Sequence, residues 1–160
     1  MKNPTALKRA SLASVAVFAA FTAFAQDAED PFADAVETRH GLMLQMATDL
    51  GVLGGIAKGE IAYDATAATK AAANVAAIAS VLSMVQFPAG SENGKSADSF
   101  ALPDLWAKQD DFLAKIVDLN NAADAMKTAA DKDGDAINAS MAQLGGACSA
   151  CHKAYRQPES

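Results

Sequence analysis

Apolar residues recur at steps of three and four along most of the chain, which is the period of an amphipathic α-helix. Four such segments follow one another after residue 30, and they are rich in alanine and poor in clusters of β-branched residues. Each is long enough to span about 30 Å, since a helix rises about 1.5 Å per residue. The pattern predicts an all-α fold, an antiparallel four-helix bundle around one shared core, with no second domain.

The first two predicted helices are bounded by capping and helix-breaking residues. The first opens at Asp30-Pro31, a cap residue followed by proline at the first helical position, and ends at Gly59. The second starts near Asp64 and stops at Phe87-Pro88, because proline cannot continue a helix. Their core-facing stripes are Phe32, Val36, Met43, Met46, Leu50 and Leu53, then Val75, Ile78, Leu82 and Val85.

A long connection, residues 89–102, separates the second predicted helix from the third. Its glycine, serine and asparagine content is typical of turns. Pro103 begins the third helix, and the turn Asp133-Gly134-Asp135 separates it from the fourth. The core-facing stripes of these two helices are Leu105, Phe112, Ile116, Leu119, Ala123 and Met126, then Ile137, Met141, Leu144, Cys148, Cys151 and Tyr155.

The first 25 residues, 1–25, have the parts of a secretory signal peptide. Basic residues lie within 2–9, an apolar run fills 10–24, and Ala23-Phe24-Ala25 is a cleavage site. The apolar run is about 15 residues long, whereas a bilayer span needs roughly 20. We expect cleavage to leave 26–160 as a periplasmic four-helix domain without a membrane anchor; a retained anchor is the alternative.

Composition and charge narrow the class of protein. With 51% apolar residues the chain is neither disordered nor collagen-like. The whole chain has a formal charge of −6, and removal of Lys2, Lys8 and Arg9 leaves 10 basic against 19 acidic side chains, or −9. Such a domain is not expected to bind nucleic acid or anionic lipid, but it would be attracted to a basic protein partner.

The only two cysteines form the motif C-x-x-C-H, which is the attachment signature of a c-type haem. Residues three and four apart share one face of a helix, so Cys148, Cys151 and His152 point the same way. Each thiol can add to one vinyl group of the porphyrin to form a thioether, and the imidazole then becomes the proximal iron ligand. Only 6% of the residues are aromatic, which leaves room for a flat cofactor in the bundle.

Three alternatives to haem attachment exist for this motif. A redox dithiol is disfavoured because no strand or βαβ pattern precedes it. A structural zinc site would need four ligands, and His40 is the only other histidine. Two cysteines that merely pack in a core would be expected to pair in an exported protein, and a disulfide between residues three apart on a helix is strained.

The segment C-S-A-C-H-K-A-Y-R, near the end of an exported four-helix chain, resembles the class II c-type cytochromes, which are the cytochrome c′ family and its low-spin relatives. The resemblance covers nearly all of 26–160 and includes Arg39 to Met43, Leu53 to Asp64, Phe87-Pro88 and Pro103 to Trp106. It implies one haem c, attached through both cysteines, in a bundle that often forms homodimers through its first two helices.

The resemblance also places residues of the first helix beside the haem. At the position of Met43, cytochromes c′ carry a residue that blocks the iron, whereas in low-spin relatives a methionine ligates it; the likeness to the low-spin members favours ligation. Arg39 interrupts the apolar stripe, and the family associates this arginine with a haem propionate. The alternatives are a core methionine and an arginine that reaches water. His40 is the competing candidate for the distal position, but it is expected to be exposed.

Other contacts with the cofactor are expected near its proximal side. Arg156 lies four residues after His152, where its charge would disfavour a protonated imidazole or contact a propionate. Tyr155 is expected in the core rather than as a redox relay. The candidate walls of the pocket are Phe87, Met84, Trp106 and Phe112.

The favoured function is one-electron transfer with an unidentified periplasmic redox partner, with His152 proximal and Met43 distal to the iron. A five-coordinate cytochrome c′ that binds nitric oxide or carbon monoxide is one alternative, and a haem-free helical interaction module is another. Enzymatic turnover is not expected, because the sequence shows no acid and base pair, no nucleophile with its base and no phosphate loop.

Overall fold

Four long helices and one short helix make up most of residues 29–158, the part of the chain that this computed structural model describes. The helices are α1 (Ala33–Ala57), α2 (Ala65–Val81), α3 (Asp104–Ala107), α4 (Gln109–Ala130) and α5 (Gly134–Tyr155). The predicted signal peptide, residues 1–25, lies outside the described residues. Within them, no helix has the length and hydropathy needed to cross a bilayer.

The four long helices form the predicted bundle. α1 packs against α2 and α5, and α4 packs against the same two helices. The α1–α2 and α4–α5 connections are short, which makes the helices they join antiparallel neighbours. Between residues 29 and 158 there is no β-strand, only two isolated bridges. The predicted all-α class and the four-helix architecture are confirmed.

An aspartate N-cap begins α2 and α5, close to the predicted starts of these helices, but not α1. The Asp64 carboxylate accepts from the backbone N–H of Ala67, and Asp133 accepts from Ala136 in the same way. The prediction that Asp30 caps the first helix is wrong, because the N-cap is Phe32, which makes no side-chain capping bond, and the Asp30 carboxylate bonds the N–H of Phe32 and residues 96 and 97 outside the helix. The first helix therefore begins at Ala33.

The second predicted helix ends earlier than Phe87-Pro88, at Val81. Ser83 starts a separate 3-10 helix, Met84–Gln86, because its hydroxyl accepts from the N–H of Val85 and its own N–H donates to Gln86. Val85 is consequently 80% exposed rather than buried.

The third predicted helix begins after Pro103, as expected, but it is interrupted. Lys108 has a non-helical backbone conformation (φ −124°, ψ 44°), which separates the single turn of α3 from α4. The expected core positions of these two helices are all buried: Leu105, Phe112, Ile116, Leu119, Ala123 and Met126.

The two halves of the bundle are packed differently. Where α2 meets α4, small side chains bring the backbones close, and the buried alanines are Ala68, Ala71, Ala72, Ala79, Ala122, Ala123 and Ala130. Towards α1 and α5 the side chains are larger and several are only half-buried, among them Met43, Leu50, Cys148 and Cys151. These half-buried side chains border a cavity, which is the candidate site.

Candidate haem site

A cavity of about 710 Å³ lies between α1, α4, α5 and the connection from α2 to α3, residues 82–103. We call this segment the α2–α3 connection. The volume falls within the roughly 300–1,000 Å³ of small-molecule and cofactor pockets. Its walls are mainly apolar, and the predicted site residues among them are Arg39, Met43, Phe87, Cys148, Cys151, His152 and Arg156. All seven predicted cofactor-binding residues thus border one cavity.

The haem-attachment motif lies in the last two turns of α5, where the helix runs without a break. Cys148, Cys151 and His152 all line the cavity, as their three- and four-residue spacing predicts. Both thiols are unpaired and half-buried. Two thiols and one imidazole on one helical face, in an apolar cavity, are the donors that a c-type haem requires. The residues present therefore fit this cofactor.

The pKa values of the two thiols are shifted in the direction opposite to that of a redox dithiol. Burial raises the pKa of Cys148, and burial together with the neighbouring thiol raises the pKa of Cys151 to about 11. Redox-active C-x-x-C motifs have the opposite shift, because their chemistry needs a stabilised thiolate. Among residues 29–158 no cluster of three or more His, Cys, Asp or Glu side chains is placed so that it could hold a metal ion.

His152 is held in the neutral form. Burial lowers its pKa, and the positive charge of Arg156 lowers it further, in the direction predicted from sequence. A neutral imidazole keeps a free nitrogen lone pair, which is what coordination to iron requires. Arg156 follows the last residue of α5, and its guanidinium lies 5.7 Å from the centre of the Phe100 ring.

On the other side of the cavity, α1 presents Arg39, His40 and Met43. Met43 is half-buried, and it is the residue of this group with an uncharged sulfur donor. His40 is half-buried rather than exposed as expected, because its ring lies 5.9 Å from that of Phe100. Phe100 therefore lies between residues of α1 and the end of α5 at the edge of the cavity.

Arg39 is only 4% exposed, and burial lowers the pKa of its guanidinium. Its Nη1 donates to the carbonyl of Gln86 (3.3 Å) and the hydroxyl of Ser91 (3.0 Å). Its Nη2 donates to the carbonyl of Ser91 (2.9 Å) and the hydroxyl of Ser99 (2.6 Å). These partners are neutral oxygens of the α2–α3 connection. The propionate contact implied by the resemblance stays a prediction.

Aromatic side chains pack the α2–α3 connection against α4 and α5. The ring of Phe112 packs edge-on against Phe87 at 4.9 Å and against Tyr155 at 5.5 Å. Trp106 does not line the cavity, but its indole N–H donates to the carbonyl of Phe87. Of the four predicted wall residues, Phe87 and Phe112 border the cavity, whereas Trp106 and Met84 pack behind it.

Tyr155 is buried, as expected, and its hydroxyl donates to Asp111 at 2.5 Å. Burial and the adjacent carboxylate raise the pKa of Tyr155 to about 12, and the same hydrogen bond lowers the pKa of Asp111. Lys115, which lines the cavity, also contacts Asp111 at 3.4 Å.

Among the residues that were not predicted from sequence are Phe100 and Lys115, which line the cavity, and Ser91 and Ser99, which bond Arg39. Helical periodicity says nothing about a turn-forming segment, although an aromatic residue among turn formers was a usable signal for Phe100. Lys115 lies three residues after Phe112 on the edge of the core stripe, where a cation on a helix is usually solvated.

The sequence and the fold both match one family. Residues 34–156 match the profile of the family described as Cytochrome C'. Cytochrome c-554 of Cereibacter sphaeroides is 50% identical over 124 residues, covering 78% of this chain and 81% of that protein. A solved cytochrome c' from Rhodobacter Spheriodes has a TM-score of 0.76 and 27% identity, covering 80% of this chain and 98% of that one.

A nitric oxide complex of a mutant cytochrome c prime from Alcaligenes xylosoxidans is also similar, with a TM-score of 0.70 and 28% identity. The alignment covers 79% of this chain and 97% of that one. The family binds haem covalently, which sets aside a haem-free helical module. With its bundle, its cavity and its motif on α5, the chain belongs to the cytochrome c′ family and carries one haem c attached through Cys148 and Cys151.

Proposed function

We propose that this cytochrome c′-family protein is a periplasmic one-electron carrier in which His152 and Met43 are the two axial ligands of the haem iron. When bound, the haem supplies the one-electron couple. The observation that carries the proposal is that Met43 of α1 and His152 of α5 border the same cavity. An imidazole and a thioether are together a ligand pair typical of electron-transferring c-type cytochromes.

The surroundings of His152 favour the neutral imidazole that iron ligation requires. Its low pKa keeps the imidazole neutral, and Arg156 contributes to that shift by its charge. The helix fixes the imidazole one residue after Cys151, so that covalent attachment and axial ligation are positioned by the same turn of α5.

The charge of the protein supports an encounter with a basic partner. The formal charge of −9 for residues 26–160 would attract a positively charged redox protein and increase the rate of association at low ionic strength. The dependence of the electron-transfer rate on salt measures this contribution, and we expect the rate to fall as salt is added.

The spin state of the ferric protein tests the ligand pair. We expect a low-spin electron paramagnetic resonance signal for the holoprotein, and conversion to high spin in Met43→Leu, because leucine has no donor atom. Met126→Leu is the matched control, since Met126 is fully buried on α4 away from the cavity. A high-spin signal from the unmodified holoprotein would overturn ligation by Met43.

The second candidate function is the binding of nitric oxide or carbon monoxide at a five-coordinate iron. The similar structure that holds nitric oxide and the apolar walls of the cavity favour it. In that case Met43 blocks the iron without binding it. The same spectra decide between the two functions, because high-spin ferric protein with rapid nitric oxide binding supports the second.

The periplasmic location rests on the predicted signal peptide, and proteins of this family are typically periplasmic. Fractionation of cells that express the full chain, followed by N-terminal sequencing of the haem-containing protein, tests it. We expect a periplasmic product that begins at Gln26. A product that keeps Met1 and stays with the membrane supports the retained anchor instead.

A further inference from the structure

A carboxylate is buried between α1 and α2, on a face of α1 that does not border the haem cavity. Asp49 is only 7% exposed. Its Oδ2 accepts from the side-chain amide of Gln45 (2.9 Å), one turn earlier on α1, and its Oδ1 accepts from the side-chain amide of Asn74 on α2 (3.0 Å). None of these three residues lines the cavity, so a haem bound there does not compete for these hydrogen bonds.

Asp49 has no cationic partner in the described part of the chain. Both of its partners are neutral amides, and none of the ion pairs found there includes it. It is the only Asp, Glu, Lys or Arg between Arg39 and the end of α1 at Ala57. The one charged residue of α2 is Lys70, which is exposed and lies one turn before Asn74. Both carboxylate oxygens accept hydrogen bonds, which is the pattern of the ionised form.

Packing between the two helices does not account for this carboxylate. The neighbouring core positions Leu53, Val75 and Ile78 are apolar, as the inside of a helical bundle requires. Buried charges are usually paired with an opposite charge, and apolar groups of the same shape can replace a buried polar pair at little cost in stability. An ionised side chain kept at this position therefore points to a role for the charge itself.

Asp49 lies close to the cavity although it does not line it. Met46, three residues earlier on α1, and Leu50, the next residue, both border the cavity. A helix with its side chains is about 10–12 Å across, so the carboxylate is separated from the cavity by about this distance or less. Met46 is itself buried, so protein rather than water fills the space between them. A charge in such a medium is screened much less than a charge on the surface.

We propose that the buried negative charge of Asp49 lowers the reduction potential of the haem from the α1–α2 interface. Ferric haem carries one more positive charge than ferrous haem, so a fixed negative charge nearby stabilises the oxidised form. The inference rests on haem occupying the cavity and on its one-electron couple, but not on ligation of the iron by Met43. Asp49 thus sets the driving force for electron transfer without contact with the cofactor.

The experiment measures the midpoint reduction potential of holoprotein variants by optical redox titration. Asp49→Asn removes the charge, keeps the size of the side chain and leaves an amide that can bond both Gln45 and Asn74. We expect the ratio of ferrous to ferric haem at a fixed potential to rise by about 3- to 10-fold, or about 30 to 60 mV at 59 mV per tenfold change. The shift should change little with ionic strength, because salt screens a buried charge weakly.

The matched control is Glu37→Gln, which removes an exposed carboxylate from the same helix two residues before Arg39. Because water screens an exposed charge, this variant should shift the potential by less than Asp49→Asn does, and the shift should disappear at high salt. Equal shifts in the two variants would show that burial gives the charge of Asp49 no added effect, and would overturn the proposal.

Two substitutions of Gln45 separate the charge of Asp49 from its hydrogen bonds. Gln45→Lys places a cation one turn from Asp49 and should raise the potential, whereas Gln45→Met removes the same hydrogen bond without adding charge and should not. Because Gln45 is exposed, both variants keep the test decisive if Asp49→Asn does not fold.

Two results overturn the proposal, and neither depends on the ligand pair. One is an unchanged potential in both Asp49→Asn and Gln45→Lys. The other is an equal shift in Gln45→Lys and Gln45→Met, which would mean that Asp49 acts only by holding α1 against α2. High-spin ferric iron in the unmodified holoprotein would contradict ligation by Met43, while the differences in potential between these variants would still test Asp49.

Discussion

The two walls of the haem cavity are built in different ways. The α5 wall takes Cys148, Cys151 and His152 from five consecutive residues of one uninterrupted helix. The opposite wall consists of Met43 from α1 and the rings of Phe87 and Phe100 from the α2–α3 connection. The hydrogen bonds that join these two segments link residues 47 to 60 positions apart in the sequence. The first wall needs only a helix, whereas the second exists only after the chain has folded.

This difference matches what each wall has to do. Covalent attachment requires two thiols at a fixed spacing, which helical periodicity supplies together with the neighbouring imidazole, without help from the rest of the molecule. The opposite wall depends instead on side chains whose positions are set by the contacts that hold the connection. The comparison implies that variants on α5 change attachment and local stability, whereas variants in the connection change access and packing.

The largest expected effect comes from removing the attachment chemistry of α5. In Cys148→Ala/Cys151→Ala, matured in a host that makes c-type cytochromes, we expect no covalently attached haem, because no thiol remains to form a thioether. Mass spectrometry of the polypeptide measures this loss. Ser149→Ala, an exposed position between the two cysteines, is the control and should retain the full mass. Haem still bonded to the double variant would contradict the assignment.

In the connection, Gly90→Ala should lower the free energy of unfolding by about 2–4 kcal/mol. Gly90 has φ +100°, and a Cβ there would lie 2.8 Å from the Phe32 ring. Gly94→Ala is the matched control, because Gly94 has φ +81° but open space around it, and it should cost only about 1–2 kcal/mol. Urea unfolding of both holoproteins gives the difference. Equal costs would show that Phe32 does not hold this segment.

The hydrogen bond between Tyr155 and Asp111 predicts that the stability of the α4–α5 junction depends on pH. The folded pKa of Tyr155 is about 12, above the unfolded value of roughly 10. Its contribution to stability is therefore complete below about pH 10 and is lost as the pH rises towards 12. Phenolate absorbance in a Tyr63→Phe background, which leaves Tyr155 as the only tyrosine, measures the pKa.

Asp111→Asn should lower the pKa of Tyr155, although burial keeps it raised. The carboxylate has the opposite pH dependence. Because the folded pKa of Asp111 is lowered, the stability it contributes is present above its unfolded pKa and is lost as the pH falls through the folded value. An unchanged pKa of Tyr155 in Asp111→Asn would show that the hydrogen bond is absent in solution.

The smallest expected effect is a gain in stability from a substitution on the outer face of α5, whereas Gly90→Ala is expected to lower stability. Gly146 is exposed within the helix, and a Cβ there meets nothing within 4 Å. We expect Gly146→Ala to raise the free energy of unfolding by about 1 kcal/mol, because alanine favours the helix. Urea unfolding checks the sign, and the haem spectrum should not change. A destabilised Gly146→Ala would indicate a contact on this face.

The long helices and the attachment motif could be predicted from sequence, and the errors lie where a specific side-chain hydrogen bond replaced the signal of the helical pattern. Asp30 has the sequence context of a helix cap, yet its carboxylate is taken by Ser96 and Ala97. Val85 fits the apolar stripe of α2, but the capping box of Ser83 ended that helix first. Local propensity is weak, and one strong alternative hydrogen bond overrides it.

The sequence by itself determined the helical class, the identity of the cofactor and the two cysteines on α5 that attach it, because each depends on the spacing of residues along a helix. Only the tertiary structure decided that Arg39 bonds the neutral oxygens of Ser91 and Ser99 and that Phe100 covers His40. A buried guanidinium must satisfy its donors, and which oxygens do so depends on where the folded connection places them.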